Sequence, residues 1–519
     1  MIAFFDKPWC WPQSRTGRGA LVAGLAIVLA GCAVGPDFVR PAPPPVERYT
    51  PTGTPAVVAP GAGEPTQRFV TGQAISARWW QLYHSPRLNR VLDDAIADSP
   101  TLASAQATLA QAQQAVIQAR GGFYPQLDVG ASAQRQQTSP SRYVGNGSSA
   151  VSSSNTFNLY SLGPTVSFTP DVFGGTRRRV EQQEALADNQ HYQLAAAYLT
   201  LTGNAVTQAI NIASTRLQIG AAQDIIADDE QNLRLVQLKF EGGKAARLDV
   251  LTAESQLAND RTQLPPLQQQ LSVAHHALSV LVGKFPGQWS APDFDLTEFA
   301  LPAELPVSVP SDLVHQRPDI LAAEAQLHAS SAAIGVAASQ LYPGVTLSGT
   351  LGVESLSTAT LFQSSSRFWN LVANLTAPVF HGGALEAQKQ AAIDTFRASA
   401  ATYQQTVLTA FGQVADVLRA LDHDAELVAA QKHALDTSAT SLALQRLSYT
   451  AGKSDLLQLL NAERAHQQAR LGYARAQAQR YQDTTQLFVA MGGGWMTAKN
   501  DVSVPGMSGT TDAKSAARN

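Results

Sequence analysis

One short motif occurs twice in this chain. Phe240-Glu241-Gly242-Gly243-Lys244-Ala245-Ala246-Arg247-Leu248-Asp249-Val250-Leu251 aligns without a gap, at a spacing of 209 residues, with Tyr449-Thr450-Ala451-Gly452-Lys453-Ser454-Asp455-Leu456-Leu457-Gln458-Leu459-Leu460. From Gly243 to Arg261 seven of nineteen positions are identical: Gly243, Lys244, Leu248, Leu251, Ala253, Glu254 and Arg261. Unrelated segments would share about one in fifteen. Each copy is a glycine turn between two long helical patterns, which predicts the tip of a helical hairpin.

Tyr198, Ala205, Ile212, Ile219, Ile226, Leu233 and Phe240 lie seven apart on the way into the first tip. Their partners in the second copy, Val407, Val414, Leu421, Val428, Leu435, Leu442 and Tyr449, are apolar without exception. A sustained seven-residue spacing keeps one stripe against a partner helix, as in a coiled coil. No proline interrupts Thr176 to Phe240. At 1.5 Å per residue this predicts a helix of roughly 100 Å. Heptads alone also fit a plain coiled-coil spacer.

The 519 residues carry a net charge of −3 and are only 15% charged, which argues against a nucleic-acid partner. With Cys10 and Cys32 as the sole cysteines there is no disulfide framework. No run of 18 apolar residues predicts a transmembrane helix.

The N-terminus reads as a signal. Lys7, Arg15 and Arg18 precede an apolar run from Ala20 to Ala30, too short to span a bilayer. The run ends in Leu29-Ala30-Gly31-Cys32, which resembles the bacterial lipobox. The expectation is removal of residues 1–31 and acylation of Cys32. Residue 33 is alanine and not aspartate, so by analogy with other lipoproteins the expected address is the outer membrane. Within residues 32–85, Pro36 to Pro65 is Pro/Ala-rich and reads as an extended tether. Repeat 1 covers 86–284: a helix from about Pro86 to Arg120, a β-hairpin at 123–171, a long helix at 175–240, the tip, and a helix at 247–283. An irregular, proline-rich linker spans 285–310. Repeat 2 covers 311–494: a helix, a hairpin at 343–380, a long helix at 383–450, the tip, and a helix at 454–491. Residues 495–519 read as a disordered tail.

The hairpins alternate with period two. Leu127, Val129, Ala131 and Ala133 alternate with Gln126, Asp128, Gly130, Ser132 and Gln134. In repeat 2, Val345, Leu347, Gly349, Leu351 and Val353 alternate with Thr346, Ser348, Thr350, Gly352 and Glu354. Strands with one apolar and one polar face need a closed barrel in lipid, since open edges leave backbone groups unpaired. Four strands cannot close, so several chains must pool theirs around a wet lumen. Phe157, Tyr160, Phe368 and Trp369 lie near the loop ends, where interface aromatics belong.

Further stretches carry a family resemblance. They are Cys32-Ala33-Val34-Gly35-Pro36-Asp37-Phe38-Val39-Arg40-Pro41, Trp79-Trp80, Phe168-Thr169-Pro170-Asp171-Val172-Phe173-Gly174, Pro310-Ser311-Asp312-Leu313-Val314-His315-Gln316-Arg317-Pro318-Asp319-Ile320, and Ala490-Met491-Gly492-Gly493-Gly494-Trp495. With them the chain resembles, over essentially its whole mature length, the TolC-like outer-membrane efflux proteins of the acylated OprM/NodT type. The resemblance implies a mainly α fold with a membrane β-barrel: a homotrimer with a shared twelve-stranded barrel, a long α-helical periplasmic tunnel and a mixed equatorial domain that starts within residues 32–85, after the tether. It implies docking to a periplasmic adaptor and an inner-membrane resistance-nodulation-division pump, outer-membrane lipid around the barrel, and most of the chain in the periplasm. The solutes would be drugs, dyes, solvents or other toxic amphiphiles. The tips, at Gly242, Gly243, Lys244, Gly452 and Lys453, would be the adaptor-docking points.

The resemblance also points to a periplasmic gate. The family carries acidic residues in a Gly-x-x-x-x-x-Asp-x-x-Asp pattern at the second tip. From Gly452 the two positions fall on Gln458 and Asn461, so this chain departs from the pattern with an amide ring. Asp249, equivalent to Gln458, and Asp455 could supply the charge instead. Alternatively Gln458 and Asn461 hydrogen-bond neighbouring hairpins, with Leu457 and Leu460 packing the closed mouth.

Nothing points to an enzyme, a cofactor or a metal. Gly452-Lys453-Ser454 lacks the first glycine of a phosphate loop, since residue 447 is leucine. His275-His276 has no metal-ligand spacing. Asp422-His423-Asp424 lies on the long helix and reads as a solvated face. Two other functions share parts of this pattern: a duct for type I protein secretion and a lipid-anchored structural spacer.

Overall fold

The computed structural model describes residues 33–51, 53, 66–73, 75–137 and 156–495. The signal segment, Cys32, part of the tether, the first hairpin loop and the tail beyond 495 lie outside the described residues.

In chain order the elements are β1 (Arg68–Thr71), α1 (Pro86–Asp98), α2 (Pro100–Arg120), β2 (Gln126–Gln137), β3 (Thr156–Phe168), α3 (Gly175–Glu241), α4 (Arg247–Arg261), α5 (Leu264–Leu281), β4 (Glu304–Val307), α6 (Pro310–Gln316), α7 (Pro318–Ser339), β5 (Gly344–Ser355), β6 (Arg367–Thr376), α8 (Ala384–Thr450) and α9 (Leu456–Ala490). The long helices α3 and α8 each have 67 residues.

Four expectations are corrected, one of them the single helix that opens repeat 2, which is two, α6 and α7, parted at the extended Arg317 before Pro318. The helix expected from Pro86 to Arg120 is two helices. Ser99 between them is extended at ψ 119°, because the ring of Pro100 disfavours the helical region at the residue before it. The helix expected at 247–283 is also two. It restarts at Leu264 with Pro265 and Pro266 in its first turn, where a missing N–H leaves no hydrogen bond unmade. The linker 285–310 is not wholly irregular: β4 pairs parallel with β1, in the register Arg68↔Glu304 to Thr71↔Val307.

The chain divides into two compact units. The first comprises Met1–Val39, Gln114–Ala185 and His328–Ala398; the second comprises Arg40–Gln113, Leu186–Leu327 and Ser399–Asn519. The first holds a four-stranded antiparallel sheet in the order β2-β3-β5-β6, so that the two hairpins join through β3 and β5. Its N-terminal strap is fastened to the start of α3. The Arg178 guanidinium, almost fully buried, donates to Val34 O at 3.2 Å, to Gly35 O at 3.3 Å and to Asp37 Oδ1 at 2.7 Å. Gly35, at φ +99°, lies against the backbone of Gly335 so closely that a side chain on it would collide.

The second unit is built on apolar burial. Trp79, Trp80, Tyr83, Leu88, Leu92, Phe294 and Phe488 are fully enclosed, with Trp79 stacked on Phe488 at 5.2 Å between centroids. Tyr83 Oη bonds Thr485 Oγ1 at 2.7 Å. A separate small core of Val236, Val250, Ala253, Leu442, Tyr449, Leu456, Leu459 and Leu460 holds the tips of the two helical hairpins together.

Candidate functional site

The sheet of the first unit has two unlike faces. On one, Asp128 faces Thr165, Thr165 faces Thr350, and Thr350 faces Asn370. Hydroxyls link the strands on this face: Thr165 to Thr350 at 3.3 Å and Ser132 to Ser161 at 2.8 Å. The other face carries Leu127, Val129, Val166, Leu351, Trp369, Leu371 and Leu375, all well exposed, Trp369 at 76%. A contiguous exposed apolar face of this kind needs lipid or a partner. The edge strands β2 and β6 have no second neighbour among the described residues.

The register corrects the placement of two aromatics. Tyr160 faces Ala133 and Trp369 faces Leu351, so both sit on the apolar side. Phe157 faces Gln136 and Phe368 faces Gly352, which puts them on the polar side. They are therefore not part of a lipid-interface belt. Proximity to a loop does not settle a strand residue's face; parity along the strand does.

In the second unit both long helices end alike. Gly243 at φ +68° and Gly452 at φ +71° take the left-handed position. The next residue closes the end: Lys244 N–H donates to Lys239 O at 2.7 Å and Lys453 N–H to Ser448 O at 2.9 Å. This is the glycine stop that satisfies the last carbonyls of a helix. Across the tips, Lys239 Nζ lies 3.4 Å from the Tyr449 ring centre and donates to Tyr449 O at 3.1 Å.

The returning helices start differently. Asp455 precedes α9 and accepts from Gln458 N–H at 2.8 Å. At the equivalent place before α4 stands Ala246, with no side-chain oxygen. There Asp249 reaches back and accepts from Ala246 N–H at 2.8 Å. Asp249 and Asp455 are thus engaged as helix caps. Gln458 and Asn461 lie exposed on one side of α9 with Leu457, which is 62% exposed. Gln458 Oε1 accepts from Gln445 Nε2 at 3.2 Å. Leu460 is buried in the tip core, away from that side. Gly242, Gly243, Lys244, Gly452 and Lys453 are exposed.

Beside the tip core lies a charged layer absent from the sequence reading. Arg446 of α8 pairs with Asp228 at 2.9 Å and with Glu463 at 3.5 Å. Asn232 also donates to Glu463. Burial pushes the Glu463 carboxyl up, while Asn232 and Arg446 oppose the shift. Asp229 of α3 and Asp260 of α4 are buried here as well. Asp424 corrects the solvated-face reading of Asp422-His423-Asp424. It is buried on α8 and pushed up to about 8 by that burial and by the facing Asp483 carboxyl, whereas His423 is exposed. The signal missed was a charge on the inward stripe of a long helix. Among the described residues no cluster of His, Cys, Asp or Glu could hold a metal ion, and no helix is long and apolar enough to cross a membrane.

A strand sheet with one lipid-suited face, joined to long helical hairpins with glycine tips, defines an outer-membrane channel of the TolC-like fold. The chain belongs to the outer membrane efflux protein family, whose pattern matches residues 91–284 and 309–493. The pyoverdine export outer membrane protein OpmQ of Pseudomonas putida is 30% identical over 448 residues, 86% of this chain and 94% of that one. The toluene efflux pump outer membrane protein TtgF, also from Pseudomonas putida, is 28% identical over 480 residues, 92% and 96% of the two chains. The solved outer-membrane channel OprN superposes with a TM-score of 0.79 at 25% identity, covering 89% of this chain and all of that one. This protein is an outer-membrane exit duct for efflux and not an enzyme.

Proposed function

We propose that three copies of the chain assemble one duct, each supplying four strands to a closed twelve-stranded barrel. The observation that carries this is the four-stranded sheet, with its apolar and polar faces and two edges unpaired among the described residues. Single-chain barrels begin at about eight strands, so one chain cannot close. The polar row from Asp128 to Asn370 then lines a wet lumen. Removal of residues 1–31 leaves Cys32 acylated. The fastening of the strap around Arg178 supports an anchor beside the sheet, with the helical hairpins in the periplasm. Residues 32–85, ahead of repeat 1, and 285–310, the linker between the repeats, contribute to an equatorial belt.

The exposed tips dock a periplasmic adaptor, which joins the duct to an inner-membrane pump. Gln458 and Asn461 ring the periplasmic mouth as an amide gate, while Asp249 and Asp455 are held back at the helix starts as caps. Carboxylate rings attract cations, so an amide ring gives a mouth with little cation preference. The solutes are drugs, dyes, solvents or other toxic amphiphiles; toluene, a solvent, is named for one relative and pyoverdine for another.

Planar-bilayer recordings of the purified protein test this reading. An ion-conducting pore is expected. The double variant Gln458→Asp with Asn461→Asp should raise cation selectivity and create block by divalent ions from the periplasmic side. Absence of conductance contradicts the duct, and a double variant matching wild type contradicts the gate. Mass spectrometry of the mature protein with an unmodified Cys32 would refute the anchor.

A further inference from the structure

Inside the first helical hairpin the buried carboxyl of Asp229 lies within hydrogen-bonding reach of that of Asp260. Asp229 on α3 is 3% exposed and Asp260 on α4 is 5% exposed. Their hydrogen bonding is unequal. Asp260 Oδ2 accepts from Gln256 Nε2 at 2.7 Å and from Gln467 Nε2 at 3.5 Å, and its Oδ1 accepts from Gln263 Nε2 at 2.9 Å. Among the described residues neither oxygen of Asp229 has a donor. Amide donors favour the charged form of a carboxyl, whereas burial without donors favours the neutral form. Two ionised carboxylates in this contact would repel each other in a setting of low dielectric. One proton between them removes the repulsion and gives Asp229 a hydroxyl that donates to Asp260.

We propose that Asp229 and Asp260 form a proton-held latch that fastens α3 to α4 beside the first tip, and that losing the proton loosens this hairpin at the periplasmic mouth.

The pairing is confined to the first copy. At the 209-residue spacing, Asp229 and Asp260 correspond to Ser438 and Ala469, so the second tip has no carboxyl at either position. Besides Asp260, Glu463 and Asp228 act on Asp229, and further charged groups lie on the neighbouring helices. Asp228 lies on the same helix, Glu463, His466 and Arg470 lie on α9, and Arg446 lies on α8. Arg446 is occupied by Asp228 and Glu463, and Arg470 by Asp224. Among the described residues no cation pairs with Asp229 or Asp260, so the proton has no competitor in the pair. Burial pushes Asp229 up from 3.8 to about 8, with the Asp260 carboxyl the next cause.

A raised folded-state value fixes the sign. The latch contributes fully below about pH 3.8, weakens as pH rises, and contributes nothing above about pH 8. Acid firms the hairpin and alkali frees it. This inference rests on contacts within one chain and stands whether or not the gate reading holds.

Hydrogen–deuterium exchange of the full-length protein in detergent tests it. Protection of the segments around residues 222–236 and 254–264 would be followed between about pH 5 and pH 8, corrected for intrinsic exchange. One linked proton changes an opening equilibrium by up to about tenfold per pH unit. Wild type should lose at least about tenfold in protection over the range. Asp229→Asn places a permanent N–H donor opposite Asp260 and should hold the acid-level protection throughout. Asp260→Asn offers the same donor from the other side and should behave likewise, which covers the case where the first variant fails to assemble. A pH-independent wild type would overturn the latch. So would a pH response that survives in the Asn variants, because Glu463 or His466 would then be its source.

Discussion

The two helical tips leave their long helices in one way and enter the next helices in two. Both stop on a left-handed glycine followed by a lysine, with the same backbone bonds. On the return, the second tip has a carboxylate at the cap, Asp455, and an amide three residues on, Gln458. The first has Ala246 at the cap and a carboxylate three residues on, Asp249. Each tip keeps one acidic side chain for the unpaired N–H groups of the helix start. The duplication therefore conserved a backbone need and let the residue that meets it move by one turn. A carboxylate at a tip is a capping group before it is a gate. The acid pairs differ in the same spirit. Asp229 and Asp260 in the first hairpin stand where the second has Ser438 and Ala469. Asp424 and Asp483 in the second stand where the first has Thr215 and Ala274.

The largest test of this comparison lies in the tip core. Leu459 and Val250 occupy equivalent places and are each 1% exposed. Leu459→Ala should cost about 2–5 kcal/mol, read from hydrogen exchange of the tip. Val250→Ala removes fewer atoms and should cost less. Equal losses would mean that the two positions do not share one core.

Next come the glycines. Gly243→Ala and Gly452→Ala force a side chain into the left-handed region and should each cost about 1–2 kcal/mol. Both have open space around an added Cβ, so backbone strain is the sole source and the two values should agree. A difference well beyond measurement error would break the claim of a shared stop.

Smallest are the caps. Asp455→Ala should lower tip stability by about 1 kcal/mol. Asp249→Ala should do the same, and its loss should shrink when Ala246→Asp supplies a cap in the manner of the second tip. If the double variant is no better than Asp249→Ala alone, the two caps are not interchangeable.

Much of this architecture was legible because it rests on periodicity. The spacing of seven from Tyr198 to Phe240 marked the helix, and the alternation from Gln126 to Gln134 marked the strand. Glycine chemistry marked the tips. What escaped depends on contacts far apart in the chain. Glu304 to Val307 is four residues in a proline-rich stretch, and only pairing with Arg68 to Thr71 makes it a strand. The breaks at Ser99 and before Leu264 were written in Pro100, Pro265 and Pro266, but helical composition on both sides concealed them. Phe368 needed the register with Gly352 to reveal its face. Asp229, Asp260 and Asp424 were hidden because a charge on a long helix is ordinarily solvated. Their burial follows from which helices pack against them.

The native mass of the detergent-extracted protein tests the central claim most directly. β2 and β6 have no second neighbour among the described residues, and the proposed twelve-stranded barrel, at four strands per chain, calls for three chains. A single species of three chains, stable on dilution, is the expected result. A monomer, or a dimer that persists at low concentration, would contradict the shared barrel.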